Sequence, residues 1–329
     1  MAISLHVEET VFRLAEVFTI SRGSRTHARV VTVTLREGSA VGRGECVPYA
    51  RYGESTASVI AQIEAMHDAL VGDGFDRSAL QVEMPPGAAR FALDSALWDL
   101  DAKRSGQRAW RLAGLAQEPG PEITAYTLSL AAPDEMRAKA QANAHRPLLK
   151  IKLGGEGDMA RLEAVREGAP DTAIIVDANE GWSAEEYVAL APALLRLGVR
   201  MVEQPLPAGA DDMLAEIARP LPVCADEACH DRASLHGLSG KYDMINIKLD
   251  KTGGLTEALA LRAEAEAAGF SIMVGCMIGS SLAMAPATLV AQGAAFTDLD
   301  APLLLGEDRQ TPLAYDERGV YPPAPELWG

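Results

Sequence analysis

LLKIKLGGEGDMARLEAVREGAPDTAIIVDA (148–178) reads as strand, turn, helix, strand. Its two apolar runs are too short for helices, and residues 158–168 between them repeat apolar positions at helical spacing. Similar runs lie on both sides: ITAYTL before it, then VRMVEQ, PVCADE, MINIKL, SIMVGC and FTDLD. With LLKIKL and AIIVDA, the eight runs start near 123, 148, 173, 199, 222, 244, 271 and 296. The step is about 25 residues, the length of one strand plus one crossover helix. Seven helical candidates fall between the runs, among them 158–168, 183–197 and 256–268. Eight strands with helical crossovers specify a parallel α/β barrel, a modified TIM barrel of (β/α)7β form. A doubly wound open sheet is the structural alternative. No phosphate-binding glycine fingerprint follows any of the runs to support it.

The chain ahead of the barrel has another character. Residues 3–18 and 28–47 hold β-rich runs, separated by the polar stretch ISRGSRTH (20–27). Residues 55–71 and 87–104 then repeat apolar positions at helical spacing, with Ser55 placed as an N-cap. Strands followed by helices predict a small α+β domain. AQEPGPE (116–122) marks its end. The expected division is 1–118 for this domain, 119–302 for the barrel carrying the site, and 303–329 for a tail. The tail holds Pro312, Pro322, Pro323 and Pro325 and no helical period, and is expected to return to the N-terminal domain.

Composition narrows the function. Thirty Lys and Arg face 46 Asp and Glu, a formal charge of −16. Such a surface repels phosphate backbones and anionic lipid, so neither nucleic acid nor membrane is an expected partner. A small-molecule substrate is expected, and a homo-oligomer is left open. The start, MAISLHVEET, has no basic or apolar signal region, which points to the cytoplasm. Cys46, Cys224, Cys229 and Cys276 contain no CxxC pair and read as reduced packing thiols. A zinc site from Cys224, Cys229 and His230 is disfavoured by its spacing.

Charges sit at the ends of the runs, where apolar strands should not carry them unless paired or bound. Lys150 and Lys152 interrupt the second run, Asp177 and Asn179 end the third, and Glu203 ends the fourth. Asp226 with Glu227 ends the fifth, Lys248 the sixth, and Asp298 and Asp300 the eighth. In a parallel barrel these ends share one mouth. A lone acid after a strand is ordinarily a solvated loop residue; six strands in phase argue for one pocket.

Asp177, Glu203 and Asp226 offer hard oxygen ligands from consecutive strands with no His or Cys beside them. That favours Mg²⁺, one ion per subunit, with Mn²⁺ as a substitute. The alternative is that these acids simply pair with Lys150, Lys152 and Lys248. Lys150 and Lys152 share a strand face about 6.6 Å apart. Their proximity is expected to depress each other's pKa and free an amine as base. Lys248 lies four strands beyond Lys152, diametrically opposite. One lysine can remove a proton α to a carbonyl or carboxylate while the other returns it to the opposite face. A divalent cation on the oxygen stabilises the enolate between the two transfers.

These residues resemble the enolase superfamily: KIKL with Lys150 and Lys152, VDANEGW with Asp177 and Asn179, VEQPLP with Glu203, CADE with Asp226, and NIKLDKTGG with Lys248. The resemblance spans nearly the whole chain and implies an N-terminal capping domain completed by the tail, over a barrel lacking its last helix. Lysines on both sides, with SIMVGCM rather than a histidine base at the seventh strand, are similar to the muconate-cycloisomerase-like subgroup. Within it, the DLD element Asp298–Asp300 resembles that of dipeptide epimerases, where an acidic pair binds the substrate ammonium. ISRGSR, CVPYARYGES, ADEACH, NIKLDKTGGLTEAL and VGCMIGSS narrow the resemblance to epimerases whose dipeptide ends in glutamate. The resemblance implies Asp177, Glu203 and Asp226 as metal ligands, Lys152 and Lys248 as the acid/base pair, and Lys150 as support, with Asn179 beside them.

A dipeptide ending in glutamate brings one ammonium and two carboxylates. The acidic pair, expected across the pocket from the metal, suits the ammonium, and Mg²⁺ suits the C-terminal carboxylate. Arg22 or Arg25 suits the side-chain carboxylate, although both could be ordinary solvated arginines. Cys276, Met277 and Ile278 either line the pocket or pack in the core. Two other functions fit parts of the pattern. One keeps the site but changes the reaction: racemisation of N-acyl amino acids, o-succinylbenzoate synthesis or cycloisomerisation. Those substrates lack an ammonium for Asp298 and Asp300. The other is a non-catalytic binding protein, which loss of a ligand or lysine would support; none is lost.

Overall fold

The computed structural model describes residues 3–72 and 74–329. The chain opens with a long antiparallel hairpin, β1 (Ser4–Ile20) and β2 (Gly23–Glu37), followed by β3 (Ala40–Cys46) on the far side of β2. The polar ISRGSRTH stretch is therefore not a separator. Both strands continue through it, Thr19 pairing with Ser24, and only Ser21 and Arg22 form the turn. Polar residues are tolerated there because the hairpin tip projects beyond the domain core and one face stays wet. Ser55 caps the helix Thr56–Glu64 through a reciprocal bond with Ser58. That helix stops short of residue 71. The Met66 N–H bonds Ile63 O at 3.1 Å, which tightens the chain before a separate turn at His67–Val71.

Helix Ala88–Ser105 is buried along most of its length and packs on β3. The close approach needs Gly42 and Gly44. A Cβ at Gly44 would stand 2.1 Å from Ala92 O, and one at Gly42 2.2 Å from Ala96 O. The tail docks on the same helix: Trp328 is fully buried and donates its indole N–H to Ser95 O at 3.0 Å.

Eight parallel strands follow: β4 (Tyr126–Leu128), β5 (Leu148–Lys152), β6 (Ala173–Asp177), β7 (Val199–Glu203), β8 (Val223–Ala225), β9 (Met244–Ile247), β10 (Ser271–Val274) and β11 (Phe296–Thr297), adjacent in sequence order. The sheet closes where Thr124 pairs with Thr297 and Ala125 N–H bonds Thr297 O at 2.8 Å. Each of the eight apolar runs is a strand or the approach to one. Among the described residues, five of the seven crossovers carry an α-helix of ten residues or more, including Asp158–Gly168, Ala184–Arg196 and Leu255–Ala267. The crossovers after β7 and β8 hold only the 3₁₀ turns Asp212–Ala215 and Arg232–Gly237. Pro205, Pro207, Pro220 and Pro222 bound the first, and Gly237 and Gly240 interrupt the second, leaving no room for a full helix.

Side chains along a strand alternate between faces, so residues two apart share the barrel interior. Ala125, Leu148, Ile175, Met201, Cys224, Met244 and Met273 form one apolar layer inside it, with Phe296 packed against them. Two residues further along the same strands stand Thr127, Lys150, Asp177, Glu203, Asp226, Asn246 and Asp298. The apolar layer floors the cavity and the next layer makes it polar, an arrangement built from the pleat alone. Among the described residues, no helix is long and apolar enough to cross a membrane.

Candidate active site

The cavity at the barrel mouth is lined by Lys150, Lys152, Asn179, Asp226, Lys248, Asp298 and Asp300 from the barrel. Arg22, Arg25, Tyr49 and Tyr52 close it from the N-terminal domain. Cys276, Met277 and Ile278 also line it. Asp177 and Glu203 lie deeper, and with Asp226 each offers a carboxylate oxygen within 4.8 Å of the others. All the residues singled out in the sequence therefore converge on one place.

Each of the three acids touches a lysine. Lys152 Nζ is 2.5 Å from Asp177 Oδ2, Lys150 Nζ is 2.6 Å from Glu203 Oε2, and Lys248 Nζ is 2.6 Å from Asp226 Oδ2. The ion-paired alternative is thus realised in the geometry, alongside the clustering of ligand oxygens. Burial works against ionising Asp177, but Lys152 and Lys150 outweigh it and hold its pKa down at about 2. Asp226 is likewise held well below the usual range, against burial, by Lys248 and Lys251. Glu203 goes the other way: burial, reinforced by Asp177, lifts it to about 7.

Two expectations are corrected here. The close lysines do not depress Lys150. Burial disfavours its charge, but Asp298, Glu203 and Asp177 surround it and hold its pKa well above the ordinary value. Carboxylates in direct contact outweigh an ammonium two residues away on the strand. Lys248 is also held well above its ordinary value, burial being outweighed by Asp226 and Glu203. Nor does Asp298 lie across the pocket from the metal-ligand candidates. Lys150 bridges them, 2.7 Å from Asp298 Oδ2 and 3.3 Å from Asp177 Oδ2. The reason is closure: β11 returns beside β4, next to β5. Asp300 accepts the Thr127 N–H at 2.6 Å, and burial with the neighbouring Asp298 raises its pKa to about 7.

The two arginines of the hairpin tip differ. Arg22 donates to Asn179 O (2.7 Å), Glu180 Oε2 (3.1 Å) and Glu227 Oε1 (2.7 Å), so its guanidinium is engaged. Arg25 lies over the Tyr49 ring, 5.0 Å from its centroid, and has no ion pair with any described residue. Cys276 Sγ approaches Asp298 O at 3.2 Å, so it packs and lines the cavity at once.

Several site residues escaped the sequence reading. Asn246, whose Nδ2 donates to Glu203 Oε1 at 2.7 Å, stands two residues before Lys248 and in phase with it, a signal that was available. Lys251, fully buried, reaches Asp226 Oδ1 at 2.6 Å. Nothing local in the sequence announces its burial. Asn179, which the sequence did single out, orients Asp177, donating its backbone N–H to Oδ1 at 2.8 Å and Nδ2 to Oδ2 at 3.2 Å.

The donor set fits a divalent cation. It is three carboxylates with no soft ligand, and Glu203 Oε2, Asn179 Oδ1 and Glu227 Oε2 are buried without a hydrogen-bond partner. Glu203 Oε2 is near Lys150 but without hydrogen-bond geometry. A hard cation held by Asp177, Glu203 and Asp226 would supply the partner that Glu203 Oε2 lacks and would favour the ionised form of Glu203.

Comparison with known proteins agrees with this geometry. Residues 135–322 match the enolase C-terminal domain-like family, and residues 2–114 match the mandelate racemase/muconate lactonizing enzyme N-terminal domain. The chain is 48% identical to the L-Ala-D/L-Glu epimerase of Escherichia coli K12, over 95% of this chain and 97% of that protein. It is 43% identical to an N-acetyl-D-glutamate racemase from Pseudoalteromonas, over 91% and 95%. A solved enolase family member from Agrobacterium tumefaciens, with homology to dipeptide epimerases and bound to sodium and L-Ala-L-Glu with an ordered loop, superposes with a TM-score of 0.97. Its identity is 58%, over 99% of this chain and 100% of that one.

Proposed function

The chain belongs to the mandelate racemase/muconate lactonizing enzyme family of the enolase superfamily, and from that premise we propose that it is a Mg²⁺-dependent dipeptide epimerase acting on L-Ala-D/L-Glu. It inverts the α-carbon of the second residue, the step that murein peptide recycling requires. The observation that carries the reading is the combination, in one cavity, of lysines on strands four apart with the acidic pair Asp298 and Asp300.

In this reading Asp298 and Asp300 hold the substrate ammonium, and Arg25, which has no ion pair among the described residues, takes the side-chain carboxylate of the second residue. Asp177, Glu203 and Asp226 hold Mg²⁺, which when bound supplies positive charge against the carboxylate next to the reacting carbon. Lys152 accepts the α-proton on one face. Lys248, held protonated by Asp226, delivers a proton to the other face. In the reverse direction the two exchange roles. Lys150 touches Asp177, Glu203 and Asp298 together and so sets the spacing between ligands and ammonium site.

The N-acetyl-D-glutamate racemase relative supports a second reading, an N-acyl amino acid racemase with the same two-lysine chemistry. It leaves Asp298 and Asp300 facing a neutral amide. Incubation with a dipeptide library in D₂O plus Mg²⁺ tests the leading reading. Deuterium should appear at the α-carbon of the second residue of L-Ala-L-Glu, and its absence from every dipeptide would reject it.

A further inference from the structure

We propose that Glu180, which does not line the cavity, is a positioning residue that sets the preference for an acidic second residue, acting through the hairpin tip on Arg25. The proposal rests on the dipeptide reading above. Asn179 and Glu180 are consecutive non-glycine residues in left-handed backbone, at φ 45° and 67°. Such conformations persist where surrounding contacts over-determine them. Here the strained turn presents the Asn179 carbonyl and the Glu180 carboxylate to the loops of the N-terminal domain.

Three segments meet on that carboxylate. Arg22 of the hairpin tip lies 3.1 Å from Oε2, and Arg51 of the Tyr49–Tyr52 loop lies 2.5 Å from Oε1. The Ala208 N–H, from the loop after β7, also donates to Oε1 at 2.8 Å. The Glu180 side chain is only 6% exposed, while Arg22 and Arg51 keep 28% and 37% of theirs in contact with water. Asn179 O adds bonds from Arg22 (2.7 Å) and Ser21 Oγ (3.1 Å). The opposite wall is shaped to receive the tip: a Cβ at Gly154 would stand 2.9 Å from Ser21 Cβ and 2.5 Å from Ala178 O.

From this anchor the order passes inward. Arg22 donates to Tyr49 Oη at 3.3 Å, and Arg25 stacks over the Tyr49 ring. Arg25 makes no hydrogen bond to any described residue with its side chain, so the stack and the docked tip define where its guanidinium stands. Removing the charge of Glu180 frees Arg51 and takes one of the partners of Arg22, which keeps Asn179 O and Glu227 Oε1. The tip is then held less firmly and Arg25 with it, while the metal-ligand candidates keep their own partners.

The test compares native protein, Glu180→Gln and Arg51→Met on L-Ala-L-Glu and L-Ala-L-Met. Glu180→Gln should lower the kcat/KM ratio of the first substrate to the second by about tenfold or more, mainly through KM. Arg51→Met should shift it in the same direction by less. Trypsin should also cleave after Arg22 and Arg25 several-fold faster in Glu180→Gln than in the native protein. Equal losses on both dipeptides, or unchanged cleavage at the tip, would overturn the proposal while leaving the epimerase reading intact. Native protein inactive on both dipeptides would instead sink that reading, and this proposal with it.

Discussion

Lys150 Nζ stands 2.7 Å from Asp298 Oδ2, joining the second barrel strand to the end of the eighth. The same ammonium touches Glu203 and Asp177, so the acidic pair and the metal-ligand candidates form one continuous electrostatic unit. In the proposed function, specificity at one end and charge stabilisation at the other would be coupled through a single buried lysine.

The substrate ammonium gives the first prediction. Deleting one partner of a desolvated charge pair costs about 2–5 kcal/mol. Asp298→Asn should therefore lose roughly thirty-fold or more in kcat/KM on L-Ala-L-Glu. N-acetyl-L-Ala-L-Glu should suffer a similar loss with the native protein, since a neutral amide cannot satisfy the acids. A native preference for the acetylated substrate would replace the dipeptide reading with the N-acyl amino acid racemase.

Chelation gives the second. EDTA should abolish epimerisation, and Mg²⁺ or Mn²⁺ should restore it, because the inferred ligands are all carboxylates. Isothermal titration should show a single site per chain, weakened at least tenfold by Glu203→Gln. Full activity after exhaustive chelation contradicts the metal assignment.

The opposed lysines give the third. Lys152→Ala and Lys248→Ala should each stop epimerisation, because the relay needs both faces. Each variant should still exchange the α-proton of the isomer facing its remaining lysine, read by NMR in D₂O. Exchange of the same isomer by both variants would refute the opposed geometry.

Asp250 gives a prediction on stability. Its buried carboxyl accepts the Val47 N–H at 2.7 Å, and burial, with Glu54 and Glu45 nearby, pushes its pKa up to about 8. The unfolded value is about 3.9. Between the two the folded state binds a proton that the unfolded state does not, so this group makes stability fall as pH rises. Asp250→Asn keeps the acceptor and removes the proton. Its unfolding free energy should gain on the native protein by about 1.4 kcal/mol per pH unit between pH 5 and 7. Urea denaturation at three pH values measures this, and parallel pH slopes for the two proteins would contradict it.

Much of the architecture was legible because it is periodic. The strand step from 123 to 296, and the alternation that puts Leu148, Lys150 and Lys152 on one face, need only local stereochemistry. The two crossovers without helices were overestimated because apolar spacing persists where prolines and glycines forbid the hydrogen-bonded turn. The charged groups that meet at the barrel mouth were legible in residue type and phase, as the clustering of Asp177, Glu203 and Asp226 shows.

Sequence by itself thus determined which groups reach the mouth of the barrel; tertiary structure decided which of them touch. Lys150 and Asp298 lie 148 residues apart and meet only because the sheet closes. Arg22 and Arg25 look alike in ISRGSR, yet one is held by Glu180 and Glu227 and the other stacks on Tyr49 with no ion pair among the described residues. Lys251 is buried against Asp226 by a turn whose composition is that of a solvated helix start. A contact energy depends on distance and on the water excluded around it. Both are properties of closure and packing, which a local pattern does not contain.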